Sequence, residues 1–194
     1  MSPYRLVLLV PLVSGAALAA CGDDGRECVG ASLLPHKSPL NLGNFRPLAQ
    51  GEAPDPGDPE AVPYEVVLFL RNACAGEVDI ASVCVVGDAH NGDEDDPAFT
   101  IEGPVPSSLA TGEEAAVRIT YDPSSVNRDL DDDGARDPDQ VAIVVQSNAT
   151  NYPTLVVPVC AIVIPDGAEV VSFVCESPVT VPAGARDASL CGSP

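Results

Sequence analysis

The sequence predicts an all-β fold, an antiparallel sandwich of about seven strands, and three observations predict it. Apolar residues recur with period two in short β-branched runs: in residues 64–71, Val66, Leu68 and Leu70 alternate with Glu65, Val67, Phe69 and Arg71. Period two buries one face of a strand. The 20 Pro and 16 Gly of the 194-residue chain fall mostly between such runs, at a density that interrupts helices. Aromatic residues are 4% and Trp is absent, so the core is expected to consist of Val, Ile, Leu and Ala. The length suits one sandwich with a few extra segments.

Residues 1–20 carry one positive charge at Arg5, an apolar run at 6–13 broken only by Pro11, and small residues at 14–17. That is the layout of an export signal, too short for the ~20 apolar residues of a membrane span. Leu18-Ala19-Ala20-Cys21 resembles the lipobox of bacterial lipoproteins. The resemblance implies cleavage before Cys21, lipidation of that cysteine, and the membrane as a partner through a lipid anchor. Gly22, with Asp23 only after it, is similar to lipoproteins sent on to the outer membrane, so the cell envelope, with the outer membrane favoured, is the expected location. Residues 21–38 then read as a tether rich in polar residues, Gly and Pro.

Residues 39–164 carry the strands. A short one is expected at 40–45, followed by an exposed loop at 51–63 whose four prolines exclude helix and central strand. Residues 66–70 and 78–86 flank the turn formers Asn72-Ala-Cys-Ala-Gly76 and read as a hairpin. An acidic loop at 88–97 precedes a strand at 98–102, a turn fills 104–112, and a strand follows at 115–121. A second acidic loop spans 122–139, and strands at 141–146 and 154–164 close the set.

In this order stand Leu40-x-Leu-Gly-x-Phe45, the Asn72–Gly76 turn, Val78-x-Ile80 with Gly87, Phe99-x-Ile101 and Leu109-x-x-Gly112. They are followed by Val117-x-Ile119-x-Tyr121-x-Pro123, Ser147-Asn148 and Pro153-x-Leu155-x-Val157-Pro158-Val159. The series resembles the Hydin-like domain, also met as the choice-of-anchor D domain of secreted and lipid-anchored bacterial proteins. The resemblance implies an immunoglobulin-like sandwich that acts as a scaffold or binding module, with no catalytic residues to carry over. Residues 165–194 are expected to form a short C-terminal hairpin or the start of a truncated second module.

With 9 Lys+Arg against 29 Asp+Glu the net charge is −20. No basic stripe exists to displace counterions, which excludes nucleic acid as a partner. The chain lacks G-x-S-x-G, H-E-x-x-H, C-x-x-C and Walker-type signatures, and His36 and His90 read as solvated loop residues. A non-enzymatic interaction or structural module with a protein or envelope partner is therefore expected. The alternative is an accessory or metal-dependent domain of an extracellular hydrolase system. Asn148-Ala-Thr150 reads as a turn before the last strand.

Two chemical expectations remain. The spacing Asp129-x-Asp131-x-Asp133-Gly134-x-x-Asp137 places oxygen ligands as in EF-hand-type calcium loops, with Gln140 where a bidentate Glu belongs. One weak structural calcium ion is expected on Asp129, Asp131, Asp133, the carbonyl of Ala135, and Asp137. Apart from Cys21, six cysteines in an exported chain suggest three disulfides. Cys175 and Cys191 flank the C-terminal hairpin and are expected to pair, while Cys28, Cys74, Cys84 and Cys160 leave three pairings open.

Overall fold

The structure is a computed structural model that describes residues 30–47 and 62–192. Cys21, Cys28 and the proline-rich stretch at 48–61 lie outside the described residues. Nine strands and no helix occur among the described residues: β1 (Leu33–Pro35), β2 (Leu40–Phe45), β3 (Tyr64–Asn72), β4 (Val78–Val86), β5 (Phe99–Glu102), β6 (Ser108–Leu109), β7 (Glu114–Tyr121), β8 (Asp139–Ser147) and β9 (Thr154–Val163). They form a four-stranded sheet ordered β1-β3-β7-β5 and a five-stranded sheet ordered β2-β9-β8-β4-β6. The two strands beyond the expected seven are short. β1 arises inside the presumed tether, where Asn151 holds Leu33 through both its backbone N–H (3.0 Å) and its carbonyl (2.9 Å). β6 lies in the presumed turn at 104–112 and pairs with the start of β4.

Pairing departs from expectation in two places. β2 lies parallel to β9, against the all-antiparallel expectation. β3 and β4 are not a hairpin, because they belong to different sheets and the connection arches across the core. Asn72 makes that arch. Fully buried, its amide donates to the carbonyls of Gly76 (2.6 Å) and Leu109 (3.0 Å), and its Oδ1 accepts from the N–H of Cys74 (3.2 Å). These bonds bend the chain out of one sheet and into the other. Gly76 permits the bend, since a Cβ there would stand 2.7 Å from the backbone nitrogen of Ala31.

The alternating residues meet between the sheets. Leu68, Leu70, Val117 and Ile119 of one sheet pack with Val141, Ile143, Val157 and Val159 of the other. Phe45, Tyr64, Tyr121 and Phe99 close one end, with ring centroids 4.7–5.3 Å apart, a spacing that favours tilted aromatic pairs.

In β8 and β9 the outward residues Ala142, Val144, Cys160 and Ile162 are also buried. What covers them is the segment 165–192, which forms no hairpin and runs as an irregular strap over the outer face of the five-stranded sheet. Asn44 holds the N–H (2.9 Å) and carbonyl (3.0 Å) of Val171, the Gln140 side chain accepts from the N–H of Glu176 (2.6 Å), and the Gln146 amide donates to the carbonyl of Asp187 (2.5 Å). Two disulfides staple it, Cys160–Cys175 and Cys84–Cys191. The expected Cys175–Cys191 pair is thus corrected. With no hairpin to close, each strap cysteine meets an outward-facing cysteine of the sheet. Cys74 is also disulfide-bonded.

The chain-entropy model makes the longer staple the stronger one. Cys84–Cys191 closes 107 residues and Cys160–Cys175 closes 15, for about 4.7 and about 3 kcal/mol. Denaturant melts of the Cys84→Ser/Cys191→Ser and Cys160→Ser/Cys175→Ser proteins should rank in that order, the first the less stable. The reverse order would show that the strap stabilises through its contacts and not through loop closure.

Candidate functional site

The two acidic loops, 88–97 and 122–138, meet at one end of the sandwich over Asp139, the first residue of β8. Its carboxylate is 5% exposed, and a charge cut off from water needs donors in place of its hydration shell. His90 and Tyr121 supply them. His90 Nδ1 lies 3.0 Å from both carboxylate oxygens, and the Tyr121 hydroxyl donates to Oδ2 at 2.7 Å. Burial foremost, then the Asp139 charge and this hydrogen bond, push the Tyr121 phenol far above its usual range.

The far side of the imidazole is occupied as well. His90 Nε2 stands 3.0 Å from Ser125 Oγ and 3.0 Å from the amide nitrogen of Asn91, which also donates to Ser125 Oγ (3.1 Å) and to the carbonyl of Val126 (3.2 Å). Since the Asn91 amide only donates, Nε2 accepts, so Nδ1 carries the proton and donates to Asp139; the tautomer follows from the network. Asn91 adopts φ 52°, with Gly92 at 77°, left-handed conformations that fold the loop back over the site. Asp88 sits nearby, accepting from the N–H groups of Ala98 (3.0 Å) and Phe99 (2.7 Å). Burial raises its pKa, against the lowering effect of those two bonds.

His90 is therefore no solvated loop residue. It is completely buried, and the expectation fails because its partners lie 35 and 49 positions away, beyond any local pattern. A Tyr ending an apolar strand run and an Asp at the threshold of the most apolar strand were the available signals.

Beside this site, the ligand oxygens of Asp129, Asp131 and Asp137 lie within 4.8 Å of one another. Asp133 lies outside this group, and its Oδ1 accepts from the N–H of Ala135 (2.7 Å). Asp129 Oδ2 accepts from the N–H of Gly134 (2.8 Å), while its Oδ1 is buried without a hydrogen-bond partner. Gln140, at the twelfth loop position, is engaged by the strap. Asn148 sits in the β8–β9 connection, as expected, and bridges to Asp79 through its N–H (2.9 Å) and carboxylate (2.7 Å).

The two outer faces of the sandwich differ. The five-stranded sheet lies under the strap, whereas the four-stranded sheet presents Leu34 and Phe69, 41% and 44% exposed. His36 packs edge-on to Phe69 at 6.3 Å. Phe69 also borders a groove of about 510 Å³ shared with His36, Lys37 and Leu42.

Comparison with protein families and with curated proteins finds no match. Among solved structures the chain is similar to a protein of unknown function from Porphyromonas gingivalis W83, with 17% identity, 73% of this chain and 51% of that one covered, and a TM-score of 0.45. It is also similar to the secreted serine protease VesC from Vibrio cholerae, with 14% identity over 69% of this chain and 23% of that one, at a TM-score of 0.44. The ASH/PapD-like domain 7 of human CEP192 shares 18% identity over 87% of this chain and 99% of its own length, at 0.42. The chain thus spans about half of the first of these structures and about a quarter of the second. The fold assignment rests on the strand order and register given above.

Tyr121 makes the site sensitive to alkali. In the unfolded chain a tyrosine ionises near pH ~10, while in the folded chain the raised pKa keeps the proton on. Above that pH the unfolded state binds fewer protons, so stability falls as pH rises, by up to about 1.4 kcal/mol per pH unit. Tyr121→Phe should be about 1.5–3 kcal/mol less stable at pH 7, through loss of a hydrogen bond to a charged group, yet should lose less further stability between pH 9 and 11. Denaturant melts across that range check it; parallel losses in both proteins would contradict the assignment.

Proposed function

We propose that the chain is a lipid-anchored protein of the cell envelope, in the outer membrane, that presents an immunoglobulin-like sandwich of the Hydin-like type as a protein-interaction module. The observation that carries this reading is the inequality of the two faces. One sheet is sealed by the strap, and the other leaves Phe69 and Leu34 in water beside His36 and Lys37. An aromatic anchor rimmed by polar groups is what a protein partner buries at the centre of an interface. Two disulfides support an oxidising compartment, and the Leu18–Cys21 motif supports lipidation at Cys21. Pull-down from envelope fractions with C-terminally tagged protein is the test. Wild type should retain a partner that Phe69→Glu loses with an unchanged melting curve, and Cys21→Ala should leave the membrane fraction. Equal capture by wild type and Phe69→Glu would overturn the face assignment, and a membrane-bound Cys21→Ala would overturn the anchor.

The reading includes one structural calcium ion on Asp129, Asp131 and Asp137. Three clustered carboxylates repel one another, a hard divalent ion offsets that repulsion, and the orphaned Asp129 Oδ1 supplies an oxygen without another partner. With Asp133 outside the group and Gln140 engaged elsewhere, the affinity belongs to the weak class of ~10⁻⁴ to 10⁻³ M. At about 1 mM free calcium that gives roughly 0.4–1.4 kcal/mol of stabilisation. Calorimetric titration of chelator-treated protein should show binding that Asp131→Ala lacks. Featureless heats for both proteins would mean that the loop is merely acidic.

A further inference from the structure

We propose that Ser125 is an activated nucleophile, with His90 as its general base and Asp139 as the residue that positions the imidazole, reactive toward carboxylic esters. This stands apart from the binding reading and runs against the expectation of a non-enzymatic module. A serine hydroxyl is a weak nucleophile until a neighbouring base accepts its proton and a third group fixes that base. All three relations are present. Ser125 Oγ lies 3.0 Å from Nε2, and Nδ1 lies 3.0 Å from Asp139. With the proton on Nδ1, the single lone pair of Nε2 is shared between the serine hydroxyl and the Asn91 amide, and the amide must release it as the base takes the serine proton.

The burial pattern suits the chemistry. His90 and Asp139 are sealed from water, at 0% and 5% exposure, so the relay keeps its geometry and its full electrostatic strength. Ser125 is exposed and open to an incoming electrophile. The Tyr121 hydroxyl anchors the Asp139 carboxylate from the other side. A simple solvated serine needs none of this. Ser124, also exposed, bonds only the carboxylate of Asp96 in the adjoining loop, at 2.5 Å.

In the step assigned, Oγ bonds to the ester carbonyl carbon as its proton passes to Nε2. The tetrahedral adduct collapses, the C–O bond to the alcohol breaks, and the alcohol leaves with the proton from Nε2. Water then attacks the acyl-serine, gives its proton to Nε2, and releases the acid as Oγ regains a proton. No co-reactant other than water is consumed.

The probe is a biotinylated fluorophosphonate, which phosphonylates activated serines with loss of fluoride. The purified full chain is treated over a time course, and the tryptic peptide 119–128, which holds both Ser124 and Ser125, is sequenced by mass spectrometry. Ser125 should be modified at least ~100-fold faster than Ser124 or any other serine, in keeping with the contribution of a general base. Ser125→Ala should carry no adduct, and Ser124→Ala should label like wild type. Folded His90→Gln and Asp139→Asn proteins, verified by native melting curves, should each be slowed ~100-fold. Should those variants fail to fold, wild type in guanidinium must lose the selectivity for Ser125. Labelling of Ser125 at the rate of Ser124, an unchanged rate in folded His90→Gln, or equal labelling of native and denatured chain would each overturn the proposal.

Discussion

A carboxylate held out of water is the constraint on which one end of this molecule depends. Asp139 opens β8 at the junction of both sheets, and its charge survives burial only while other groups supply hydrogen bonds. Tyr121 meets that need from the end of β7, and His90 from a loop that has to double back to reach it. Asn91 then ties this loop to its neighbour, donating to Ser125 and Val126 while its own oxygen accepts from the N–H of Arg128 (2.7 Å). Two segments dense in like charge are thereby drawn together around a single anion. The aromatic group of Phe45, Phe99 and Tyr121 closes the same end from inside, so the polar and apolar parts of the core share Tyr121 as a member.

A second constraint lies on the opposite face. β8 and β9 are too apolar on their outward sides for a sheet that meets water, and the strap resolves the mismatch by lying across them. Its backbone makes no ladder with the sheet. Side chains take over that role: Asn44, Gln140, Gln146 and Thr154 each bond the strap backbone, and the disulfides fix its position. The surface left to solvent is consequently that of the four-stranded sheet.

Period-two alternation made most strands legible, because β3, β7 and the outer residues of β4 each keep one wet face. The apolar run of β8 was legible as a strand, though periodicity could not say that its second face is covered by a segment twenty to fifty residues later. The β3–β4 arch was misread as a hairpin because turn formers look alike in both. What separates them is the inward fold of Asn72, a tertiary fact. Cys84 and Cys160 occupy outward positions of their strands, so alternation carried a clue to their pairing with the strap that proximity along the chain concealed. In the acidic loop the spacing found three carboxylates that do converge and a fourth, Asp133, that closes a local turn instead. The His90 site has no signature in sequence because the fold alone assembles it.

The staples also determine how the molecule would carry a mechanical load. Tension entering at Cys191 passes through the disulfide directly into β4, a strand flanked by β8 and β6. The strap between Cys175 and Cys191 is short-circuited and bears little of the pull. Load then reaches the β4–β8 ladder, where the hydrogen bonds of the paired residues resist together, while the chain's other end enters through β1 of the opposite sheet.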